Sequence, residues 1–402
     1  MRPFDGRRVI LGVTGGIACY KTVTLARLLT QAGAVVDVIM SRAAREFVGA
    51  ITFEAVTGRP IAPDILDQGH ALSHIRLAKE AELVVIAPAT ADFLARAASG
   101  RADDQMTAVL LATRAPVLIA PAMNDGMWAH DLVQRNVRTL RDIGCDVLEP
   151  EVGPLAFGEG AGPGRLPEAE TLVAYAGRRL ETAHGLAGRR IVVTAGPTRE
   201  SLDPVRYITN HSSGRMGVAI AAAAWRRGAH VTLVHGPIEV PLPAGGVCVG
   251  VTTTAQMRDA VAAALPDADA LIMAAAPADF RAADIRAQKI KKSDSAPTIA
   301  LEHTDDILAG TRALRKPGAV VMGFALETTN VEEHARAKVA RKGLDFIVAN
   351  DATESGAGFG HETNRVIILS ASGEHESPPL MQKTDLADLL LDRIARALEG
   401  GA

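Results

Sequence analysis

Short apolar runs alternate with helical stretches through the first 182 residues. Residues 8–13 read as a buried strand, 17–32 as a helix stopped by Gly33, and 35–40 as the next strand. Runs at 83–87 and 117–120 repeat the pattern, each leading into a proline-containing loop. Residues 128–143 read as a helix that ends at Gly144. Strands alternating with helices predict a parallel sheet covered on both faces. Ligands in such sheets sit beyond the carboxyl ends of the strands, so chemistry is sought in the loops that follow them. Residues 149–165 break the rhythm. They are too rich in Gly and Pro for a regular element and read as a flap. Residues 166–182 then form a closing helix.

At Gly188 the pattern restarts. Gly-Arg-Arg-Ile-Val-Val-Thr-Ala-Gly from Gly188 echoes Gly-Arg-Arg-Val-Ile-Leu-Gly-Val-Thr-Gly from Gly6. Strands are expected at 230–234, 270–274, 320–324, 345–349 and 365–369, and a closing helix at 385–398. The fold class is therefore α/β: two Rossmann-like domains with mainly parallel sheets, 1–182 and 189–402, joined by a linker at 183–188.

Composition narrows the function. Hydrophobic residues make up 48% and charged residues 22%, as in globular proteins, with no apolar run of the ~18 residues that cross a bilayer. A net charge of -3 offers nothing to nucleic acid or an anionic membrane. Cys19, Cys145 and Cys248 are widely spaced, which argues against a disulfide framework or zinc site and for a reducing cytoplasm.

Thr14-Gly15-Gly16 follows a strand and opens a helix, where backbone N–H groups can cradle a phosphate. Ser41 ends the second strand and is either a second phosphate contact or a helix cap. Pro88-Ala89-Thr90 and Pro121-Ala122-Met123-Asn124 follow later strands; their small side chains leave room for a flat ring, or form ordinary turns. His74 has the pKa range of a general base, and equally of a half-buried, hydrogen-bonded residue. The spacing lacks the GxGxxG of a dinucleotide site, which argues against a nicotinamide oxidoreductase.

In this order, with Ala102-Asp103-Asp104, these motifs resemble the flavin-dependent cysteine decarboxylases over residues 8–165. The resemblance implies a flavodoxin-like domain with FMN at Gly15, Gly16, Ser41, Pro88, Ala89, Thr90 and Met123. It makes His74 the base and Asn124 the holder of the substrate carboxylate. The chemistry suits those residue types: oxidising a cysteinyl thiol to a thioaldehyde gives the departing CO₂ an electron sink, and the cofactor carries that step. One departure stands out. The family's flap cysteine, which protonates the enethiolate, is Phe157 here, and Glu159 is the substitute acid if burial raises its pKa.

The second half is more specific. Thr194 to Glu200 follows a strand, and the run from Leu202 through Asp203, Arg206, Asn210, His211 and Ser212-Ser213-Gly214 leads into an Ala-rich helix. Polar residues and glycines massed before a helix suit an anion site. Ala278-Asp279, Gly323-Phe324, a lysine cluster at 289–292, and Lys338 with Lys342 one helical turn apart complete the set. Residues 188–398 closely resemble the bacterial phosphopantothenate–cysteine ligases that use CTP. The resemblance implies that Arg206 and Asn210 bind phosphopantothenate and that Asn210 handles the acyl-cytidylate. It assigns Asp279, Lys289, Phe324, Lys338 and Lys342 to CTP, with Lys289 also catalytic and Mg2+ held mainly through the CTP phosphates. Departures are Ser201 for the usual proline, Arg215 for lysine, and Pro277. The fused order resembles the bifunctional enzymes of coenzyme A synthesis, and implies trimers through one half and dimers through the other, together a homo-dodecamer. The alternative is an active ligase whose FMN-binding half is impaired by Phe157.

Overall fold

The computed structural model describes residues 3–182, 185–291, 298–327, 331–351 and 361–400. The chain divides into two compact units, Met1–Thr182 and Ala183–Ala402.

The first unit is built on a five-stranded parallel sheet. Its order is Val35–Met40, Arg8–Val13, Leu83–Ala89, Val117–Pro121, Asp146–Val147. This is the flavodoxin-like order, and it reverses direction between Arg8–Val13 and Leu83–Ala89. Every residue of Leu83–Ala89 is buried, as a central strand covered on both faces requires. On one face Val9, Leu11 and Val85 pack with Leu25 and Leu29 of helix Cys19–Gln31 and Leu172 of helix Ala169–Leu180. On the other, Ile10 and Ile86 pack with Phe93, Met106 and Val137.

Two expectations are corrected. The helix expected at 128–143 is two helices, Asp125–Ala129 and Asp131–Asp142. His130 interrupts them in extended backbone (ψ 132°), and its ring Nδ1 accepts the Leu132 N–H at 3.2 Å, capping the second. The flap at 149–165 is a regular element, an antiparallel hairpin of Glu151–Pro154 and Ala161–Arg165. Pairing needs backbone geometry, not an apolar period, and Pro163 sits opposite Val152 on a ribbon with two open edges.

Helix Gln105–Ala112 carries the cap with the clearest electrostatic signature. Asp104 Oδ1 accepts the Thr107 N–H and hydroxyl, both at 2.8 Å, and Oδ2 meets Arg96 at 2.7 Å. Burial raises the carboxyl's pKa, but the Thr107 N–H and then Arg96 outweigh it, and the net shift is downward. A carboxyl lowered by folding stabilises above its unfolded pKa, about 3.9, and that contribution is lost as pH falls through the folded value. Asp104→Ala is expected to cost about 1 kcal/mol at pH 7. In thermal melts, the gap from wild type closes only below about pH 4.

The second unit holds an eight-stranded sheet. The order is Val247–Gly250, His230–His235, Arg190–Ala195, Ala270–Met273, Val320–Glu327, Phe346–Asp351, Ile367–Ser370, His375–Glu376. The first six are parallel and the last two pairings antiparallel. Direction reverses between Arg190–Ala195 and Ala270–Met273, so loops 196–214 and 274–279 flank the switch point. Leu186, inside the expected linker, is fully buried, and the Gly188 N–H bonds to Gly228 O at 3.2 Å. Residues 183 and 184 lie outside the described residues.

Candidate functional sites

In the first unit the loops at the switch point are stapled by one hydroxyl. Thr14 is buried; its Oγ1 donates to Pro88 O at 2.6 Å and accepts the Thr90 N–H at 3.0 Å. Gly15 lets loop 41–43 close in, because a Cβ there would stand 2.3 Å from the Ala43 methyl. Gly16 faces open space, with only the Thr90 methyl at 3.7 Å. Helix Cys19–Gln31 begins beside it with no side-chain cap and no acidic residue in its first turn. The donor set is that of an anion cradle: loop N–H groups and a helix N-terminus. Ser41 Oγ accepts the Ala44 N–H at 3.1 Å at the head of helix Ala44–Phe47, whose N-cap position is Ala43, and its own hydroxyl proton stays available.

The opposite wall is the loop 121–124. Ala122 N–H donates to Ala89 O at 3.1 Å, and Met123 N–H to Gly164 O at 3.0 Å. Asn124 Oδ1 accepts the Gly126 N–H at 2.9 Å, which turns the side chain so that its amide N–H groups are the remaining donors. The hairpin lies directly on this loop. A Cβ on Gly164 would stand 2.1 Å from Met123 O, and one on Gly162 2.7 Å from Asp125 Oδ2. Segment 88–90 is thereby joined to Thr14 on one side and to Ala122 on the other, next to Gly15 and to Met123 respectively.

His74 is the second residue of helix Ser73–Glu80 and half-buried. Its Nδ1 is enclosed and has no hydrogen-bond partner among the described residues. Ser73 Oγ accepts the Gln105 amide at 2.8 Å, fixing the head of that helix to helix Gln105–Ala112. No hydrogen bond links His74 to Asn124 among the described residues. Phe157 and Glu159 sit on the hairpin tip, fully exposed and exposed respectively. The burial on which Glu159 depends as an acid is therefore not supplied within this unit. Glu159→Gln is expected to release fully reduced product within about twofold of wild type, as surface substitutions do, and mass spectrometry checks this by a two-hydrogen difference.

The second unit repeats the staple. Thr194 Oγ1 accepts the Ala275 N–H at 3.1 Å, and buried Thr198 Oγ1 accepts the Ala278 N–H at 2.9 Å. Gly236 passes so close that a Cβ would stand 1.6 Å from Pro197 O. Asn210 reaches across the switch point, its amide donating to Pro277 O at 2.8 Å and Ala276 O at 3.5 Å. Beside it opens a cavity of about 650 Å³ lined by Pro197, Arg199, Asn210, His211, Ser212 and Arg215, with residues 237–241 opposite. Helix Arg215–Arg226 points its N-terminus here behind Gly214 (φ 76°), again without an acidic first turn. Arg199 stacks on Tyr207 at 4.6 Å, and Arg215 pairs with Glu362 at 2.6 Å. Each keeps a buried Nε with no partner among the described residues. Two guanidiniums, one of them paired with Glu362, and a helix N-terminus give this cavity donors suited to an anion, with Glu239 on the wall opposite.

Arg206 and Lys289 do not line that cavity. They form a second cluster, where the Arg206 guanidinium donates to Ile290 O next to Lys289. Asp279 is exposed, and its carbonyl accepts the Thr304 N–H at 3.0 Å. Phe324 is half-buried in strand Val320–Glu327. Lys338 and Lys342 lie on helix Val331–Lys342, and Lys342 pairs with Asp306 at 3.1 Å. Burial raises the Asp306 pKa, but the Ala309 N–H and Lys342 outweigh it and hold the carboxyl below its ordinary range. Lys292 lies outside the described residues. No group of three or more His, Cys, Asp or Glu among the described residues could hold a metal ion. Sequence reasoning gave no role to Thr14, Thr198, Asp203 or the hairpin glycines as individual residues. The sequence places Thr14 before Gly15 at a strand end and Asp203 before Pro204, and nothing in it singles out Thr198.

Comparison with known proteins gives each unit a family. The flavoprotein model matches residues 2–181, and the model of the DNA/pantothenate metabolism flavoprotein C-terminal domain matches 186–398. The coenzyme A biosynthesis bifunctional protein CoaBC of Mycolicibacterium smegmatis is 47% identical over 408 residues, covering 98% of both chains. That of Escherichia coli K12 is 45% identical over 394 residues, covering 97% of both. A crystal structure of the C-terminal domain of a CoaBC protein is 38% identical, with a TM-score of 0.47, over 54% of this chain and 99% of that one. The FMN-dependent cysteine decarboxylase SpaF is 36% identical, with a TM-score of 0.37, over 42% of this chain and 94% of that one. Near-identical length, both family models in this order and close to half the residues in common leave one assignment: the chain belongs to the CoaBC family of bifunctional coenzyme A biosynthesis enzymes, which joins a flavoprotein decarboxylase to a ligase.

Proposed function

We propose that the second unit, residues 189–402, uses CTP and Mg2+ to join cysteine to 4'-phosphopantothenate. The first, residues 1–182, uses FMN to decarboxylate the product to 4'-phosphopantetheine, with 183–188 between them. The observation that carries the ligase assignment is the anion cavity at the head of helix Arg215–Arg226, where Arg199 and Arg215 keep unpartnered Nε groups beside Asn210. It suits the phosphate of phosphopantothenate. The substrate carboxylate attacks the α-phosphate of CTP, giving an acyl-cytidylate and pyrophosphate, and the cysteine amine then displaces CMP. Asn210 holds the acyl group, Arg206 the phosphopantothenate, and Asp279 and Phe324 the cytidine. Lys289, Lys338 and Lys342 neutralise phosphate charge with Mg2+. Lys342 exchanges Asp306 for a phosphate when nucleotide arrives.

The flavin cradle fits FMN: open space at Gly16, an uncapped helix N-terminus, and a hydroxyl proton available on Ser41. Gly15, Gly16, Ser41 and Thr90 would hold its phosphate, with Pro88, Ala89 and Met123 along the ring. Bound FMN would supply the two-electron oxidation of the thiol and, once CO₂ has left, the return of those two electrons, so that decarboxylation is redox-neutral overall. The chain's own residues do the rest: His74 takes a proton, Asn124's amide holds the leaving carboxylate, and the hairpin base excludes water. Three free cysteines suit a cytoplasmic enzyme, and no helix among the described residues is long and apolar enough to cross a membrane. A dodecamer built from trimers and dimers completes the reading, and light scattering tests it. The relatives, which carry both halves at full length, do not favour a merely FMN-binding first unit.

The test is one incubation with phosphopantothenate, cysteine, CTP, Mg2+ and FMN, with products weighed by mass spectrometry. Many turnovers to 4'-phosphopantetheine support both halves. Accumulated phosphopantothenoylcysteine sinks the decarboxylase reading, and no adduct at all sinks the ligase reading.

A further inference from the structure

We infer that Asp203 is the positioning residue that locks Arg206 and Lys289 into one substrate-binding unit. Its side chain is fully buried among segments that are otherwise exposed. Oδ1 accepts the Val205 and Arg206 N–H groups, each at 2.8 Å, closing the turn that presents Arg206. Oδ2 accepts the Ile290 N–H at 3.0 Å and pairs with Arg206 Nε at 3.3 Å. The Arg206 guanidinium in turn donates to Ile290 O, and the Arg286 N–H donates to Leu202 O at 3.0 Å. Lys289 thus sits between two anchored points, and both anchors run to the 202–206 turn. Asp284 pairs with the Arg286 side chain at 3.2 Å, and Asp203 is the carboxylate on which the turn and the Ile290 N–H converge; a carboxylate is what the site needs. Three N–H donors and the Arg206 charge converge on two oxygens, and an acceptor-only group is what accommodates them all. Those same donors hold the carboxyl ionised: burial raises its pKa, but the Ile290, Val205 and Arg206 N–H groups together with the Arg206 charge bring it below the ordinary range.

The inference rests on the ligase reading, in which Arg206 meets phosphopantothenate and Lys289 the CTP phosphates. Those two groups act on different substrates, and they must keep a fixed spacing for the carboxylate to meet the α-phosphate. An error of about 1 Å in such placement costs about 10²-fold in rate. Asp203 touches neither substrate; it sets the spacing.

Asp203→Asn separates the possibilities. An amide keeps one acceptor for the 205–206 turn but turns N–H donors toward Ile290 N–H and Arg206. The expected result is a fall of tenfold or more in kcat/KM for ligation, with KM rising for phosphopantothenate and CTP together. Decarboxylation of supplied phosphopantothenoylcysteine should stay unchanged, which controls for folding and assembly of the preparation. The deciding readout is a double-mutant cycle. In a Lys289→Gln background, Asp203→Asn should add less than threefold, because the spacing it sets no longer matters. A full tenfold loss in that background means that Asp203 acts elsewhere, and the inference is overturned. If Arg206→Gln and Lys289→Gln are each silent, the ligase reading of those residues fails and takes the inference with it. If both reduce ligation and Asp203→Asn does not, the positioning role alone is wrong. Should Asp203→Asn not fold, hydrogen exchange on the wild-type protein decides: the Ile290 amide must exchange at least tenfold more slowly than those of Lys289 and Lys291. Equal rates would overturn the inference.

Discussion

Replacing His74 with leucine should lower decarboxylation by about 10²–10⁴-fold, the range for loss of a general base. The melting temperature should not fall. Both halves of that expectation come from one atom. His74 Nδ1 is enclosed without a hydrogen-bond partner, and an unpartnered buried polar atom costs about 1–3 kcal/mol. A histidine retained for structure would have that nitrogen satisfied. Leucine fills similar space and removes the cost, so stability holds or rises while the base is lost. The ligase unit supplies the internal control: phosphopantothenoylcysteine should accumulate at the wild-type rate and be visible by mass spectrometry. A variant that keeps releasing CO₂ at more than about one tenth of the wild-type rate would remove His74 from the mechanism. A variant that loses both activities and melts early would show a packing role instead.

How much of this was legible in the sequence follows from where each element takes its instructions. Buried parallel strands are continuous apolar runs, so Arg8–Val13, Leu83–Ala89 and Arg190–Ala195 could be read directly. Their sheet order could not, since it is set by crossovers and long-range packing. The hairpin of Glu151–Pro154 and Ala161–Arg165 was hidden because its glycines answer to tertiary neighbours, Gly164 to Met123 O and Gly162 to Asp125. His130 breaks a helix through its own ring, which helical periodicity does not register. The echo between Gly6 and Gly188 proved to have physical content. Thr14 and Thr194 each end a first strand and each bind a backbone N–H of the neighbouring loop, Thr90 in one unit and Ala275 in the other. The loops at the two switch points were therefore legible, and the buried hydroxyls that brace them were not. Asp203 was the least readable of all, because the amide it holds is 87 residues away.

Asn210→Ala should lower ligation by about 10²–10³-fold, the loss seen when one preorganised donor to a reacting acyl group is removed. Two roles compete for this side chain. Its amide donates to Pro277 O at 2.8 Å, so it braces the switch point; it also borders the cavity beside Arg199 and Arg215, so it reaches substrate. The magnitudes separate them. A half-buried hydrogen bond contributes about 0.5–1.5 kcal/mol, which as a brace alone costs at most about tenfold and shows as an equal loss of stability. A donor to the acyl-cytidylate costs 10²-fold or more with little change in melting. The expected outcome is therefore a large kinetic loss with a stability loss near 1 kcal/mol, measured by CMP release and by thermal melts of the same preparation. Asn210→Asp sharpens the test, because a carboxylate would face Pro277 O with no proton to share and would repel the substrate's own negative groups. It should be at least as impaired as the alanine variant. Should the aspartate variant ligate like wild type, the amide donates to nothing that matters, and the site must be rebuilt around Arg199 and Arg215 alone.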